Sequence, residues 1–349
     1  MHPLAVVADL ARSCGPGEPG SVDQGERVYV RDLASALARR THTLVYSTAS
    51  TPLREVAADL WRVWPRALLY VYPITPAGAF RARGLKAAAH GAPLSMLALA
   101  PHPLTRRARG LVRAVRPDLY LTTSNLTARE VAGLGARARR LPPAVDLTRF
   151  RAPAPGEKAT IRAAWGLPRD QRVVLHIGHA VPARNLDVLA ELARPDTCPV
   201  LLASHVRVSE TAAILERLRR RKVLVLTGYR PNVEELYRAA DCYVFPADSW
   251  GGGIDLPASV LEALASDLPV ASTPFGGLPE HFEGADGVRF ATSSPGLVEA
   301  VFALLAARPS TRRLVTAFTW DALASELDQL LAFPTAKRRR RGEAYAARA

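Results

Sequence analysis

The chain has 349 residues, of which 48% are hydrophobic, and a formal net charge of +14. This length and apolar content suit two domains with separate cores and exclude a wholly disordered chain. Its cysteines, Cys14, Cys198 and Cys242, are far apart and odd in number, so they indicate neither a disulfide framework nor a zinc site.

The positive charge is concentrated in two parts of the chain. Residues 1–150 hold 21 Lys and Arg against 10 Asp and Glu, residues 151–336 hold 19 against 21, and residues 337–349 hold 6 against 1. A basic face indicates an anionic partner, such as a phospholipid, a nucleic acid or a phosphorylated substrate. The alternative is that the arginines merely cover solvent-exposed faces.

The first residues, MHPLAVVADLAR, lack the basic region of a secretory leader. No apolar run in the sequence approaches the ~18 residues that a membrane span needs. We therefore expect the protein in the cytoplasm, where cysteines stay reduced. The basic charge also suggests peripheral contact with the inner face of the cell membrane.

A loop rich in glycine and proline follows the first predicted strand, Leu4–Leu10. Its glycines Gly15, Gly17 and Gly20 satisfy the pattern G-x-G-x-x-G. We reject a dinucleotide site because two prolines stiffen the loop and its third glycine does not open the helix that follows. The next strand also ends without the acidic residue that holds a ribose. A plain surface loop is the alternative interpretation.

The remainder of the first half alternates between strand and helix patterns. Strands are predicted at 42–46, 67–72, 94–100 and 119–123, and helices at 26–40, 76–90 and 104–116. Such alternation predicts βαβ units and a parallel sheet.

The predicted helix 104–116, LTRRARGLVRAVR, is amphipathic. A helical projection places its apolar residues, Leu111 among them, on one face. The opposite face carries Arg106, Arg109, Arg113 and Arg116. This arginine face suits an anionic lipid surface. The pattern favours the alternative, an ordinary solvated face, because the projection leaves no apolar residue to insert.

A segment rich in proline, LPPAVDLTRF followed by RAPAPGE, separates the two halves and indicates a domain boundary. We expect an N-terminal acceptor-side domain at 1–150 and a C-terminal domain at 151–333. The basic tail at 334–349 is too charged to pack and is expected to be disordered.

In the second half, a glycine loop leaves the predicted strand Val173–Ile177 and leads into a helix. Gly178 begins this loop, which also holds His179 and Arg184. Backbone amides at a helix start, combined with a basic side chain, suit a phosphate. A histidine of ordinary pKa, about 6.5, is largely neutral at pH 7 unless a phosphate raises that pKa.

A second glycine loop follows the predicted strand Cys242–Phe245. It consists of Gly251, Gly252 and Gly253, whose backbone amides can approach a ligand closely because no Cβ intervenes. A helix predicted to begin at Pro257 then offers its N-terminus to the same edge of a parallel sheet. The sequence therefore predicts an anion site at this edge.

Glu262 lies on the second turn of that helix. A carboxylate at this place suits the paired hydroxyls of a ribose, since it accepts two donors and repels phosphate oxygens. The helix is followed by a predicted strand, 268–272, and by a further glycine turn at Gly276 and Gly277.

The segment LEALASDLPVASTPFGGLPE, from Leu261 to Glu280, resembles the signature of the retaining glycosyltransferases of family 4, the group 1 transferases. The resemblance implies the α/β class and the GT-B fold, with two Rossmann-like doubly wound domains facing across a cleft. The family signature has two Glu residues separated by seven others. Glu262 matches the second, whereas Ile254 occupies the position of the first, with Asp255 beside it.

The resemblance also implies a role for each matching residue. Glu262 would anchor the donor ribose, and His179 and Arg184 stand where the family places two cations on the diphosphate. The implied donor-binding residues are Glu262, Arg184, His179, Gly178, Gly251, Gly252, Gly253, Tyr229 and Gly17. His102, which follows a predicted strand, would face the transferring sugar, and Asp255 would replace the missing glutamate as a second catalytic residue. A structural loop histidine is the alternative for His102.

The implied activity is metal-independent, retaining transfer of a sugar from a UDP-sugar or GDP-sugar donor to an acceptor hydroxyl, without a cofactor. The basic first half favours a lipid-linked or glycan acceptor, and an anionic membrane surface would meet the arginine face and the tail from Lys337 to Arg341. No nucleic acid is expected. Two alternatives stay open. Ile254 and His179 suggest a noncatalytic subunit or nucleotide-sugar sensor, and charge alone suggests a polyanion-binding protein.

Overall fold

A computed structural model describes residues 2–8, 24–203, 209–228, 230–249 and 253–332. Its strands are β1 Leu4–Ala8, β2 Thr43–Ser47, β3 Ala67–Val71, β4 Leu94–Ala98, β5 Leu119–Thr122, β6 Arg137–Arg140, β7 Arg172–Gly178, β8 Thr197–Ala203, β9 Leu224–Thr227, β10 Cys242–Phe245, β11 Val270–Ser272 and β12 Val288–Phe290. Its α-helices are α1 Gln24–Arg40, α2 Leu53–Val63, α3 Pro76–Ala88, α4 Arg106–Ala114, α5 Asn125–Ala132, α6 Glu157–Ala164, α7 Asp187–Glu191, α8 Ser209–Arg220, α9 Glu234–Ala239, α10 Ala258–Ala265, α11 Leu278–Phe282, α12 Ser294–Ala307 and α13 Trp320–Ala332.

The described strands form two parallel six-stranded sheets, one in each half of the chain. The first has the order β2-β1-β3-β4-β5-β6 and the second the order β12-β11-β10-β7-β8-β9. Leu4 of β1 lies opposite Ala67 of β3, and Val174 of β7 lies opposite Cys242 of β10. The central strands are nearly continuous apolar runs because helices cover both faces of such sheets. The predicted pair of doubly wound α/β units is confirmed.

By packing, the chain divides into two compact units. The first contains Glu26–Pro142 together with β1 and α13, and the second contains Pro143–Thr319. The sequence analysis grouped α13 with the second half, but this helix packs in the first unit. There the Trp320 ring lies edge-on to Tyr29, with centroids 5.1 Å apart, and Asp328 forms an ion pair with Arg66.

Local sequence sets the starts of several helices. The Thr75 side chain accepts a hydrogen bond from the Gly78 amide at the start of α3, and Ser124 does the same for the Thr127 amide at α5. Each cap satisfies an amide that the first turn of a helix leaves without an intrahelical partner. Pro257, predicted as the first helical residue, is instead the residue before α10, where its extended backbone leads in from the glycine loop.

In the second unit, Arg312 forms hydrogen bonds with the segment 147–150 and with the end of α10. Its guanidinium donates hydrogen bonds to the carbonyl oxygens of Leu147, Phe150 and Ala265. Phe150 in turn packs edge-on against Tyr237, with ring centroids 5.6 Å apart. These contacts hold α9 and α10 in fixed places beside the second sheet.

The amphipathic pattern of α4 was interpreted incorrectly in one respect. Val112 is buried as expected, but Leu111 is 49% exposed. The helix is shorter than predicted and is buried only through Val112, so an apolar side chain is left on the surface beside the arginines. Strands β6 and β12 and helices α2, α5, α8 and α11 were not predicted.

Candidate functional site

The strand order of the second sheet reverses between two neighbouring strands, β7 and β10. From β7 the chain adds β8 and β9 on one side, and then crosses to place β10 on the other. Such a switch point opens a crevice outside the carboxyl ends of the strands, where open α/β sheets bind ligands. Gly178, predicted to begin the loop, is instead the last residue of β7; the loop after it carries His179 and Arg184, and the loop after β10 carries Gly253 and Asp255. The fold therefore brings these five predicted residues to the same edge of the second sheet.

Arg184 connects these two loops. It ends a 3-10 turn, Pro182–Arg184, and is only 8% exposed. Its guanidinium carbon lies 5.3 Å from the centroid of the Phe245 ring. A Cβ added at Gly253 would lie 3.4 Å from an Arg184 terminal nitrogen and 3.3 Å from the Phe275 ring. Residue 253 therefore lies next to the Arg184 guanidinium, and a side chain there would press on the Phe275 ring.

Asp255 and His179 differ in how deeply they are buried. Asp255 is fully buried, and its backbone carbonyl accepts a hydrogen bond from the Gly277 amide at 3.0 Å. This bond joins the loop after β10 to the later glycine turn. His179 is half-buried, and its carbonyl accepts from the Val181 amide at 3.1 Å. Ile254, at the position of the missing glutamate, is also half-buried.

Glu262 lies half-buried on α10, beside two buried tyrosines. The Tyr237 hydroxyl donates a hydrogen bond to Glu262 Oε2 at 2.6 Å. Burial, followed by the negative charge of Glu262, raises the pKa of Tyr237 well above its ordinary value of 10. The phenol therefore stays protonated and is the donor. The Tyr243 ring lies next to it, with centroids 5.8 Å apart.

A fully buried histidine on β7, His176, was missed by the sequence analysis. Its Nδ1 lies 2.8 Å from the Val244 carbonyl oxygen on β10, and within the described residues its Nε2 has no hydrogen-bond partner. Burial lowers the pKa of His176 to about 4, so the ring is neutral at pH 7 and Nδ1 carries the proton. A Cβ added at Gly178 would lie 3.0 Å from Nε2. The ring thus fills the space beneath Gly178 and joins β7 to β10 at the switch point.

The remaining predicted residues lie elsewhere. Gly17, Tyr229, Gly251, Gly252 and the basic tail fall outside the described residues. His102 lies in the first unit, after β4, and is exposed. Its backbone amide donates to Glu130 Oε2 at 3.1 Å, and its Nδ1 is 3.3 Å from the Ala100 carbonyl oxygen.

Two further observations concern the described ranges alone. No group of three His, Cys, Asp or Glu side chains there could hold a metal ion. The helices of the same ranges include none that combines the length and the apolar character needed to cross a bilayer.

Sequence comparison relates this site to sugar transfer. Residues 171–307 match the family model described as Glycosyl transferases group 1. The D-inositol 3-phosphate glycosyltransferase of Segniliparus rotundus is 30% identical over 208 residues, which are 54% of this chain and 45% of that protein. The chain spans about half the length of the curated relatives it matches.

Solved structures match the chain over most of its length. HepE from Anabaena, crystallised with UDP, gives a TM-score of 0.74 at 15% identity, over 95% of this chain and 99% of that one. Sucrose-phosphate synthase from Thermosynechococcus elongatus also gives 0.74, at 17% identity, over 95% and 98%. At these identities the likeness establishes the fold. The chain therefore has the GT-B fold, and its residues 171–307 are similar to the group 1 glycosyltransferases.

Proposed function

We propose that this protein is a retaining glycosyltransferase that moves a sugar from a nucleoside diphosphate sugar to an acceptor hydroxyl. The observation that carries the proposal is the approach of Arg184 to Gly253 at the switch point of the second sheet, with Glu262 on α10, the helix that follows β10. The likeness to HepE, which was crystallised with UDP, favours a uridine donor over a guanosine donor.

In this proposal the diphosphate lies over the loops after β7 and β10. Arg184 is almost fully buried, so its charge is poorly screened by water and acts strongly on a phosphate. The amides near Gly178 and Gly253 add preorganised donors as negative charge builds on the leaving diphosphate. Arg184 supplies the positive charge that a divalent metal supplies elsewhere, so we propose metal-independent transfer.

Retention follows if the leaving phosphate accepts the proton of the acceptor hydroxyl. The bond between the anomeric carbon and the phosphate oxygen breaks, the acceptor oxygen bonds to that carbon on the same face, and its proton passes to the phosphate. No protein nucleophile takes part. His102 and Asp255 are proposed to contact the donor sugar. Because Asp255 is fully buried, its carboxylate reaches a sugar only if the loop after β10 changes conformation.

We further propose a lipid-linked or glycan acceptor, and cytoplasmic activity at the inner face of the cell membrane. Exposed arginines on α4 and on the edge strand β6 support contact with an anionic surface. Leu111, 49% exposed on α4, supplies an apolar side chain that can enter the headgroup region. A glycan of the cell envelope is an acceptor of this kind.

Calorimetric titration with UDP, GDP, ADP and their common sugar conjugates tests the donor site. We expect wild type to bind one nucleoside diphosphate and Glu262→Ala to bind it about 100-fold more weakly, because a charged hydrogen-bond acceptor is lost. Glu299→Ala, which removes an exposed glutamate of the same unit, should match wild type. A folded wild type that binds none of these ligands would contradict the proposal.

A noncatalytic sugar-nucleotide sensor is the second candidate. It is favoured by the apolar Ile254 at the position where the family has its first glutamate. Prolonged incubation with the bound sugar nucleotide separates the two functions. Release of free sugar or of a glycosylated acceptor supports the transferase, and tight binding without turnover supports the sensor.

A further inference from the structure

Tyr237 is a buried residue of the second unit that lies outside the two glycine loops of the proposed donor site. It is on α9 and has 0% exposure. Its ring is held between Phe150, edge-on at 5.6 Å, and Tyr243 at 5.8 Å. Because the ring is packed on two sides, the direction of its hydroxyl is set by the core of the unit.

That hydroxyl points at Glu262. The distance of 2.6 Å between the Tyr237 oxygen and Glu262 Oε2 is that of a strong hydrogen bond to a charged acceptor. A glutamate side chain has three rotatable bonds, and fixing them on ligand binding costs conformational entropy. A partner that fixes the carboxylate beforehand reduces this cost.

The hydrogen bond also restricts what the carboxylate can receive. A phenol that donates to Glu262 favours the ionised carboxylate, which only accepts hydrogen bonds. A carboxylate has about four lone-pair directions, so a bond from Tyr237 still leaves it acceptor capacity. The ligand group that fits such a site is a hydroxyl donor, and a phosphate oxygen is repelled.

We propose that Tyr237 is a positioning residue that orients Glu262 toward a ribose hydroxyl and so makes the site selective for ribonucleotides over deoxyribonucleotides. This inference rests on the proposed donor site. Tyr237 does not touch the ligand and acts only through Glu262.

The test compares Tyr237→Phe with wild type in calorimetric titrations of UDP, 2′-deoxy-UDP and 3′-deoxy-UDP, or the same series of whichever of UDP, GDP and ADP wild type binds. Wild type should prefer the ribonucleotide to at least one deoxy analogue by about tenfold. In Tyr237→Phe this preference should fall to about twofold, while affinity for that analogue stays unchanged. Tyr120→Phe, at a fully buried tyrosine of the first unit, should keep the wild-type preference.

Each other outcome overturns the inference. Equal weakening of the ribonucleotide and its deoxy analogues would show a general structural role, and an unchanged preference would show no role. If Glu262→Ala abolishes the preference but Tyr237→Phe keeps it, the donor site stands and only the inference on Tyr237 is wrong. If folded wild type binds no nucleoside diphosphate, the proposed function fails and this inference with it.

Discussion

The two units share one architecture but place their polar groups differently. In the second unit, Arg184, His176 and Tyr237 are buried beneath the carboxyl edge of the sheet. In the first unit, the distinctive polar groups are exposed arginines on α4 and β6. A buried group meets a ligand at a fixed geometry, whereas exposed charges meet any anionic surface. For the second unit a class of ligand can therefore be proposed, whereas for the first only the charge of its partner can be.

The net charges of the two halves agree with this contrast. Residues 1–150 carry an excess of 11 positive charges, whereas residues 151–336 carry an excess of 2 negative charges. Yet the proposed phosphate site lies in the second half. The proposal therefore gives a few buried groups more weight than the overall charge balance as the determinant of phosphate binding.

The largest expected effect concerns acid stability of the second unit. The pKa of His176 is about 4 in the folded protein, below its ordinary 6.5, so folding favours the neutral ring. Its contribution to the free energy of unfolding is complete above pH 6.5 and declines by about 3 kcal/mol as the pH falls to 4. Urea denaturation of wild type and His176→Phe across this range should show a shallower pH dependence in the variant.

The control for that experiment is His42→Gln, which changes an exposed histidine of the first unit. It should keep the pH dependence of wild type. If His176→Phe also kept it, His176 would not be the buried neutral group that the structure shows, and the contrast between the units would be weakened.

The next effect concerns the diphosphate. Arg184→Ala should weaken UDP binding by about 30-fold, because a buried charged donor is lost, and should change uridine binding little. Titrations with UDP, UMP and uridine measure this difference. Arg217→Ala, at an exposed arginine of the same unit that pairs with Asp187, should behave as wild type. An equal loss for UDP and uridine would mean that Arg184 supports the fold and does not bind phosphate.

The smallest effect is expected on the first unit. Arg113→Gln should reduce sedimentation with phosphatidylserine vesicles by about fivefold at low salt, since one cation near an anionic surface contributes about 1 kcal/mol. Neutral vesicles should bind neither protein, and Arg289→Gln in the second unit should have no effect. If both substitutions reduced binding equally, the membrane contact would be diffuse and not a property of α4.

Local sequence patterns predicted some elements better than others. β10 was predicted because CYVF is an apolar run between Asp241 and Pro246, and α10 because its apolar residues recur at helical spacing. β6 was missed because its sequence, RARR, has no apolar pattern. It is an edge strand with one neighbour, β5, and its side chains are mostly exposed. Such a strand is specified by pairing with its neighbour.

In the candidate site, too, some residues could be predicted from local sequence patterns and others could not. Glu262 and Arg184 were predicted as site residues from their spacing to glycine loops and from the resemblance to the family motif. His176 and Tyr237 were not, since their partners lie 68 and 25 residues away along the chain. Within the apolar run VVLHIG, a histidine has no sequence signal for a bond to the Val244 carbonyl. The residues that orient a site are therefore harder to predict than those that line it.

A crystal structure of the protein with UDP tests the central claim most directly. The account predicts a ribose hydroxyl within hydrogen-bond distance of Glu262, and the diphosphate against Arg184 and the amides near Gly178 and Gly253. UDP ordered away from the carboxyl ends of β7 and β10, or with its diphosphate out of reach of Arg184, would contradict it.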